Sequence, residues 1–374
     1  MRILYLTPQA PQLKSGGGRH CYANLRSLCD YNNATVEYIG PAFDAGIRGL
    51  QRENLSIIVG RKFTQKDRII SALKGSPSSL TQVFGDVLKQ MDFQTYDLVF
   101  IEFSYIEFIF NYLHRDTPTI CCVHNVEADF QKANCTGLRR LKYYYVKKCE
   151  RRAVQKAANL LVMHIHDARR LEAVYQTKLN SYTIHPVCSF MPRYDIVSMG
   201  EREKIILFSG SLDSIFNEVG LLEFLNICWS KIQDCGYTLL VSGRNPSKKI
   251  ILELGRYRNA DIIANPPDME KIIKNARLLV LPDLYGTGMK LRVAEALSYG
   301  VPVVGTVLGL RGYDNVESFG VAVESIHDMN EAVLTLIEST ERLKKLSLSA
   351  IELWEDRYTF KIFRSRIHSI LDSL

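Results

Sequence analysis

Residues 282–304 have the clearest potential for chemistry, because they read as a strand end, a glycine loop, a helix and a further strand. Gly286 and Gly288 have no Cβ, so backbone N–H groups of the loop can approach a ligand closely. The following helix would direct unpaired N–H groups and partial positive charge to the same point, where a phosphate would bind favourably. Lys290 and Arg292, in its first turn, oppose the helix dipole, and neutralising a bound anion would explain them.

Glu295 lies further along the same helix and has two alternative roles. Its carboxylate can accept hydrogen bonds from both hydroxyls of a ribose if the phosphates of a nucleotide lie at the helix start. Alternatively, Glu295 forms a surface ion pair with Arg292, three residues earlier, which would contribute only about 0.2–0.5 kcal/mol. Residue types and spacing leave both roles open.

The elements that must position these residues form two series of short, apolar, β-branched runs. The first series comprises 2–6, 36–39, 55–59, 98–102, 119–123, 160–163 and 182–185, and the second 205–209, 238–242, 262–264, 278–281, 301–304 and 320–323. Runs of the second series begin roughly every 16 to 33 residues, which is enough for a strand and a crossover helix. The pattern predicts an α/β fold with two Rossmann-like, doubly wound domains that face each other across a cleft.

The domain boundaries follow from these two series. An N-terminal Rossmann-like domain spans 1–190, and a polar segment without periodicity, 191–204, links it to a C-terminal Rossmann-like domain of 205–350. Residues 351–374 have helical periodicity and would form a C-terminal helix that can pack back on the N-terminal domain.

The composition is that of an ordinary globular enzyme, since 47% of the 374 residues are hydrophobic and 23% are charged. No apolar run approaches the roughly 18–20 residues of a membrane span, and the N-terminus does not read as a signal peptide. The nine cysteines include no Cys-x-x-Cys pair, and neither an Asp-x-Asp motif nor metal-ligand spacing is present. The sequence therefore predicts a cytoplasmic protein with free thiols that needs no metal and no cofactor.

A basic segment at 138–156 accounts for the net charge of +7, because its basic residues are opposed by a single acid, Glu150. Its predicted apolar side consists of Leu138, Leu141, Tyr145, Cys149 and Ala153. Basic residues on the remaining side are typical of a helix on the anionic inner face of a membrane. A solvated helix packed on the first domain is the alternative. Nucleic acid is not a predicted partner, because no motif for binding it accompanies the charge.

The sequence Gly-Thr-Gly-Met-Lys-Leu-Arg-Val-Ala-Glu-Ala-Leu at 286–297, continued by the glycine-rich 300–312, resembles the donor-binding signature of retaining glycosyltransferases of family four. Shorter pieces at 123–127, 208–212 and 242–244 extend the resemblance over most of the chain. It implies the GT-B form of the two-domain fold. It also implies retaining transfer of a hexosyl unit from a UDP- or GDP-sugar to a glycan or lipid-linked acceptor, in the biosynthesis of surface polysaccharides or glycoconjugates.

The resemblance further implies roles for individual residues of the C-terminal half. Glu295 would hold the ribose of the nucleotide-sugar donor, and Lys290 and Arg292 would act as catalytic residues that neutralise its diphosphate. The other implied donor-binding residues are Gly210, Arg244, Gly286, Thr287, Gly288 and Met289. Thr287 stands where the family often has a second glutamate. This departure favours one alternative, a catalytically silent GT-B subunit; a GT-B epimerase is another, although it would need more acids around the sugar.

Two features of the N-terminal half complete the predicted site. His124 directly follows a predicted strand, and the resemblance implies that it is a catalytic residue in contact with the donor sugar, whereas residue type alone favours a structural histidine. Glu127 would position the acceptor. Gly17, Gly18 and Arg19 follow the first strand by too long a loop for an NAD or FAD fingerprint. The resemblance favours donor binding by these three residues over a mobile surface turn.

Overall fold

The computed structural model describes residues 1–13, 15–44, 49–59, 64–66, 69, 87–113, 117–134 and 140–374. They form two compact units. The first comprises Met1–Pro186 and Phe363–Leu374, and the second comprises Val187–Ile362. The first piece of this unit therefore ends at Pro186, whereas the sequence predicts a domain end at residue 190.

The first unit is built on a parallel sheet of seven strands in the order β3-β2-β1-β4-β5-β6-β7. The strands are β1 (Arg2–Leu6), β2 (Thr35–Gly40), β3 (Leu55–Val59), β4 (Leu98–Glu102), β5 (Thr119–Val123), β6 (Asn159–Val162) and β7 (Tyr182–Ile184). Each predicted run of the first series forms one of them. Strands β4 and β5 are buried at every position, as expected for parallel strands that are covered on both faces.

The second unit is built on a parallel sheet of six strands in the order β10-β9-β8-β11-β12-β13. The strands are β8 (Ile205–Ser211), β9 (Thr238–Arg244), β10 (Ala260–Ala264), β11 (Leu278–Leu281), β12 (Val303–Thr306) and β13 (Gly320–Val323). Strand β12 begins two residues later than predicted, directly after Pro302, which has no N–H to donate to a neighbouring strand. The two parallel sheets confirm the predicted α/β fold class.

Helices connect the strands of both units. Those of the first unit are α1 (Gly16–Cys29), α2 (Glu127–Asn134), α3 (Arg140–Lys156) and α4 (Ile165–Tyr175). Those of the second are α5 (Ile215–Phe224), a π-helical turn (Leu225–Trp229), α6 (Ser230–Ile232), α7 (Lys248–Leu254), α8 (Met269–Asn275), α9 (Leu291–Ser298), α10 (Met329–Ile337) and α11 (Thr340–Arg357). The last helix is α12 (Phe360–Asp372). Short 3-10 turns lie at Phe93–Thr95, Glu107–Asn111, Val316–Ser318 and Ile326–Asp328.

The C-terminal residues divide between two helices, whereas the sequence predicts one helix over 351–374. Helix α11 begins well before residue 351 and ends at Arg357, in the second unit. From Phe363 onward, α12 belongs to the first unit, where Arg364 forms an ion pair of 3.1 Å with Asp30 at the end of α1. The chain thus returns to its first unit after completing the second.

In both sheets the strand order reverses between two neighbouring strands, β1 and β4 in the first unit and β8 and β11 in the second. Connections from such a pair leave in opposite directions, so a crevice opens at the carboxyl ends of the strands. Ligands of doubly wound proteins bind in this crevice. The segments that follow these four strands contain most of the predicted site residues.

Candidate functional site

The loop between β11 and α9 has a backbone conformation that favours glycine at two positions. Gly286 has a φ of +122° and Gly288 a φ of +70°, values that residues with a side chain rarely adopt. Helix α9 begins at Leu291, so Lys290 is its N-cap and not a first-turn residue as predicted. Lys290 Nζ donates a hydrogen bond of 3.2 Å to Thr287 O, back across the loop.

A buried carboxylate, Asp283, lies between the two predicted cations. Its side chain is only 5% exposed; it forms an ion pair with Arg292, and Lys290 Nζ lies 3.9 Å from its Oδ1. Two cations and one carboxylate leave this loop with net positive charge. Asp283 is not among the residues that the sequence predicts for the site. The available signal was its place next to Pro282, directly after a buried strand.

Arg292 is held in place from three directions. Its Nη2 donates to Asp283, and its Nη1 donates to Ser209 O at 2.6 Å and to Asn217 Oδ1 at 3.3 Å. The guanidinium carbon lies 5.4 Å from the ring centroid of Phe208. These contacts fix the cation at the carboxyl end of β8, next to the reversal of strand order.

The sequence leaves Glu295 with two roles, ribose binding or an ion pair with Arg292. Within the described part of the chain, the carboxylate that pairs with Arg292 is Asp283. Glu295 itself is partly exposed. Its role in holding a ribose stays a prediction.

Thr306 at the end of β12 and Tyr313 in the following glycine-rich stretch hold the β11–α9 loop through hydrogen bonds. Tyr313 donates its hydroxyl proton to Lys290 O at 2.8 Å and accepts a hydrogen bond from Ala294 N at 3.1 Å. Thr306 donates its hydroxyl proton to Asp283 O at 2.7 Å. The start of α9 and the carboxylate that holds the cations are therefore connected to the same segment. No side-chain pattern in the sequence singled out Tyr313.

Gly210 and Arg244 end the neighbouring strands β8 and β9. Gly210 pairs with Gly243, where a Cβ would lie 1.8 Å from Gly210 O, so the strands approach closely only because residue 243 is glycine. A Cβ on Gly210 would lie 3.1 Å from Arg292 Nη1. Arg244 is partly exposed, and Met289 is buried. The structure thus brings Gly210, Arg292 and the glycine loop together at one edge of the sheet.

In the first unit, His124 lies at the carboxyl end of β5 and forms a hydrogen bond through Nε2 with the buried carboxylate of Glu102. Glu102 Oε1 also accepts hydrogen bonds from Tyr5 Oη at 2.7 Å and Asn24 Nδ2 at 2.8 Å. Burial raises the pKa of Glu102, but the charge and the hydrogen bond of His124 outweigh burial, so its pKa is lowered. The ring of Phe103 stacks on His124 with centroids 3.9 Å apart.

Two more histidines, His20 and His185, form a cluster with His124. The ring of His20 packs edge-on against it at 4.8 Å between centroids, and His185 lies 5.7 Å from His20. Burial and the neighbouring His124 lower the pKa of His20 to about 3, so His20 is neutral at ordinary pH. Phe363, from the returning helix α12, contacts both outer rings, at 5.3 Å from His20 and 3.9 Å from His185.

Glu127 is buried at the start of α2, next to a second buried carboxylate, Glu150. Glu150 Oε1 accepts a hydrogen bond of 2.9 Å from Glu127 N, and its Oε2 accepts one of 3.0 Å from Ala128 N, so it caps α2. Burial and the charge of Glu150 raise the pKa of Glu127 to about 8. The one acid of the basic segment therefore organises the start of the helix that contains Glu127.

Gly17, Gly18 and Arg19 lie in the first turn of α1 and do not form a surface turn. The N-cap Ser15 accepts a hydrogen bond from Gly18 N through Oγ at 3.2 Å. A Cβ on Gly17 would lie 2.5 Å from Oε1 of Gln9, a flexible side chain that can move away. Their predicted role in donor binding stays a prediction.

Known proteins resemble this chain in the sequence of its second unit and in its fold. Residues 203–339 match the family described as Glycosyl transferases group 1, while no curated protein matches the sequence. The matched residues lie within the second unit. The matched segment includes Gly210, Arg244 and the whole loop from Asp283 to Glu295.

Solved structures show the same fold over the whole chain. A sucrose-phosphate synthase from Thermosynechococcus elongatus has a TM-score of 0.76 at 14% identity, covering 100% of this chain and 98% of that one. WaaG, a glycosyltransferase involved in lipopolysaccharide biosynthesis, has a TM-score of 0.71 at 15% identity, covering 98% and 99%. HepE from Anabaena in complex with UDP-glucose has a TM-score of 0.70 at 12% identity, covering 100% of both chains. The predicted GT-B fold class and the resemblance to group 1 glycosyltransferases are confirmed.

The basic segment lies outside the matched residues and forms α3 from residue 140; residues 138 and 139 lie outside the described residues. Its buried residues include Val146, Cys149, Glu150, Ala153 and Val154. Cys149 and Ala153 of the predicted apolar side pack in the core of the first unit, as in the alternative of a helix packed on this domain. The exposed residues include Lys142, Tyr144, Lys148, Arg151, Gln155 and Lys156. No helix among the described residues has the length and apolarity to span a membrane.

Proposed function

We propose that the protein transfers a hexosyl unit from a UDP- or GDP-sugar to a glycan or lipid-linked acceptor, with retention of the anomeric configuration. The observation that carries this proposal is the cation pair Lys290 and Arg292, held by Asp283 beside the glycine loop in a group 1 glycosyltransferase domain. UDP is the first nucleotide to test, because structures of the similar HepE contain UDP and UDP-glucose.

In the proposed donor site, the nucleotide diphosphate binds along the chain from the β11–α9 loop into α9. The diphosphate binds to amide groups around Gly286 and Gly288 and to Lys290, while Arg292 adds charge from the end of β8. Glu295, further along α9, accepts hydrogen bonds from the ribose. The same cations stabilise the negative charge that develops on the leaving diphosphate, which is where fixed charges accelerate a reaction most.

The reaction needs no nucleophile from the protein on this proposal. The acceptor hydroxyl attacks the anomeric carbon on the face that the diphosphate leaves, and its proton passes to a diphosphate oxygen. His124 contacts the donor sugar and Glu127 positions the acceptor. The hydrogen bond between His124 and Glu102 supports this role, because it orients the imidazole.

We further propose that the protein acts in the biosynthesis of surface polysaccharides or glycoconjugates. It would do so in the cytoplasm, on the inner face of a membrane. Support comes from the exposed side of α3, which carries Lys142, Lys148, Arg151 and Lys156. Each such charge near an anionic surface contributes on the order of 1 kcal/mol. Because Cys149 and Ala153 are buried, docking would rest on charge and on Tyr144, whose side chain is exposed. Recovery of the protein by flotation equally with anionic and neutral liposomes would contradict it.

Thermal unfolding in the presence of UDP, GDP, ADP and dTDP tests the donor site. We expect stabilisation by one diphosphate and slow release of that diphosphate from the matching nucleotide sugar. Arg292→Met should weaken binding by about tenfold or more, because a charge-assisted contact is lost. Arg256→Met is the matched control, since Arg256 lies on the surface and pairs with Glu253 at 2.8 Å.

Three results would change the conclusion. If none of the four diphosphates binds, the proposed function is wrong. Binding without turnover, even with candidate acceptors, would favour the catalytically silent subunit. Interconversion of two nucleotide sugars would favour an epimerase.

A further inference from the structure

Three buried side chains of the first unit have the chemistry of metal ligands. His20 on α1, Cys122 on β5 and His124 after β5 each offer a ligand atom, and these atoms lie within 4.8 Å of one another. All three residues are less than one-tenth exposed. Imidazole nitrogen and thiolate sulfur are ligands that Zn²⁺ prefers in proteins.

We propose that His20, Cys122 and His124 bind Zn²⁺ or a similar soft divalent ion. Zinc bonds of about 2.0–2.3 Å place tetrahedral ligand atoms about 3.3–3.8 Å apart. The distance from His20 Nε2 to Cys122 Sγ is 3.4 Å, which lies in that range. The ligand atoms of all three residues lie within 4.8 Å of one another, so binding the ion would draw the His124 ring closer. Three protein ligands leave a fourth position for water or a substrate group.

The neighbours of these ligands supply the hydrogen bonds that metal sites require around them. Asn24 Nδ2 donates to Cys122 Sγ at 3.5 Å, which lowers the pKa of the thiol, although burial and the charge of Glu102 raise it by more. Glu102 accepts from His124 Nε2, so the ring keeps its lone pair on Nδ1 for the metal. His185 Nε2 lies 3.2 Å from Asn24 Oδ1 and orients the amide in turn.

The charges of the site balance when the ion is bound. The Cys122 thiol loses its proton to solvent as the metal–sulfur bond forms. One thiolate and the Glu102 carboxylate then offset the two positive charges of Zn²⁺, while His20 stays neutral. A buried site without net charge avoids most of the desolvation cost of an isolated ion.

The sequence contains a matched control for the cysteine. Cys121 precedes Cys122 on β5, so their side chains point to opposite faces of the sheet. Cys121 packs in the apolar core of the first unit with residues such as Leu4 and Val99. Both thiols are buried. A difference between the two serine variants therefore reports the metal site and not burial of a thiol.

The test is a zinc titration of the reduced full-length protein against a chromophoric chelator. We expect one bound equivalent, retained in Cys121→Ser and weakened by about 100-fold or more in Cys122→Ser. Glu102→Gln should weaken binding by about 10- to 100-fold, because it removes the partner of a ligating histidine. No bound zinc in the wild type, or equal losses in the two serine variants, would overturn the proposal.

A measurement on the unmodified protein covers the case in which Cys122→Ser does not fold. Co²⁺ in place of Zn²⁺ should give a thiolate-to-metal charge-transfer absorption in the near ultraviolet, and its absence would also overturn the proposal. The site shares His124 with the proposed glycosyl transfer, whereas the nucleotide loop belongs to the second unit. Nucleotide binding, measured on the same sample, therefore separates failure of one proposal from failure of the other.

Discussion

Asp283 has two opposing effects on an anion bound at the glycine loop. Its charge repels the anion, but its ion pair with Arg292 fixes a guanidinium that would otherwise search many rotamers. Because Lys290 lies 3.9 Å away and carries a second charge, the loop remains positive. We therefore infer that the carboxylate acts mainly by preorganising the cations before a diphosphate arrives.

Replacing Glu295 by alanine tests whether this residue holds a ribose. The variant should bind the matching nucleoside diphosphate more than about tenfold more weakly, because hydrogen bonds to a carboxylate contribute about 1.5–3 kcal/mol. Calorimetric titration measures the loss. Glu341→Ala is the control, since Glu341 is exposed and pairs with Lys344 on α11. Unchanged affinity in Glu295→Ala would assign the residue to the protein surface.

Replacing Glu127 by glutamine should make the first unit more stable at alkaline pH. The folded-state pKa of Glu127 is about 8, above its usual 4.5, because burial and Glu150 disfavour the charged form. The folded protein therefore binds more protons than the unfolded chain between these values, and stability falls as pH rises through that window. In Glu127→Gln this part of the decrease is absent.

Unfolding temperatures of both proteins from pH 5 to pH 9 measure the effect. We expect similar values near pH 5 and a difference that grows towards pH 8 in favour of the variant, at about 1.4 kcal/mol per unit of pKa shift. Parallel curves would show that Glu127 titrates near its usual pKa.

At the scale of elements, each unit places its polar residues where the strand order reverses. His124 and Glu102 end β5 and β4, and Arg292 is held at the end of β8 beside the segment that follows β11. Parallel strands point their carboxyl ends to the same edge, so residues far apart in sequence meet there without long loops. The fold explains why the sites contain residues from several strands.

Replacing Gly288 by alanine should affect the site more than a similar change elsewhere. Its φ of +70° costs alanine about 1–2 kcal/mol, so the loop would relax and nucleotide affinity would fall. Gly236→Ala is the matched control, because Gly236 has a φ of +79° and no neighbouring atom near an added Cβ. Both variants should lose stability, but only Gly288→Ala should lose affinity. Equal affinities would mean that the loop does not contact the nucleotide.

At the scale of the whole molecule, the first unit is discontinuous in sequence, because its last piece is Phe363–Leu374. Phe363 is fully buried against His20 and His185. The first unit can therefore complete its core only after the second unit has been synthesised.

Phe363→Ala should destabilise the first unit by about 3–5 kcal/mol, the usual cost of truncating a buried phenylalanine. Scanning calorimetry with and without the nucleoside diphosphate measures this, since the ligand marks the transition of the second unit. Leu348→Ala is the control, because Leu348 on α11 is 64% exposed. The nucleotide should raise the unfolding temperature of the second unit. If Phe363→Ala destabilised only that unit, the assignment of α12 to the first unit would be contradicted.

The strands, the fold class and the place of the glycine loop before a helix could be predicted from the sequence. Each depends on neighbouring residues: apolar runs specify buried parallel strands, and positive φ angles at 286 and 288 require glycine. Spacing also located His124 at a strand end. These signals are local, because each one lies within a single element and the residues that flank it.

Which side chains meet depends on the tertiary structure and could not be predicted. Asp283 reaches Arg292 across the loop, and His20, Cys122, Glu102 and His124 come together from α1, β4 and β5. The apolar face of α3 likewise turned out to be buried, with Glu150 capping α2. Such contacts depend on strand order and on rotamers, and neither leaves a periodic trace along the chain.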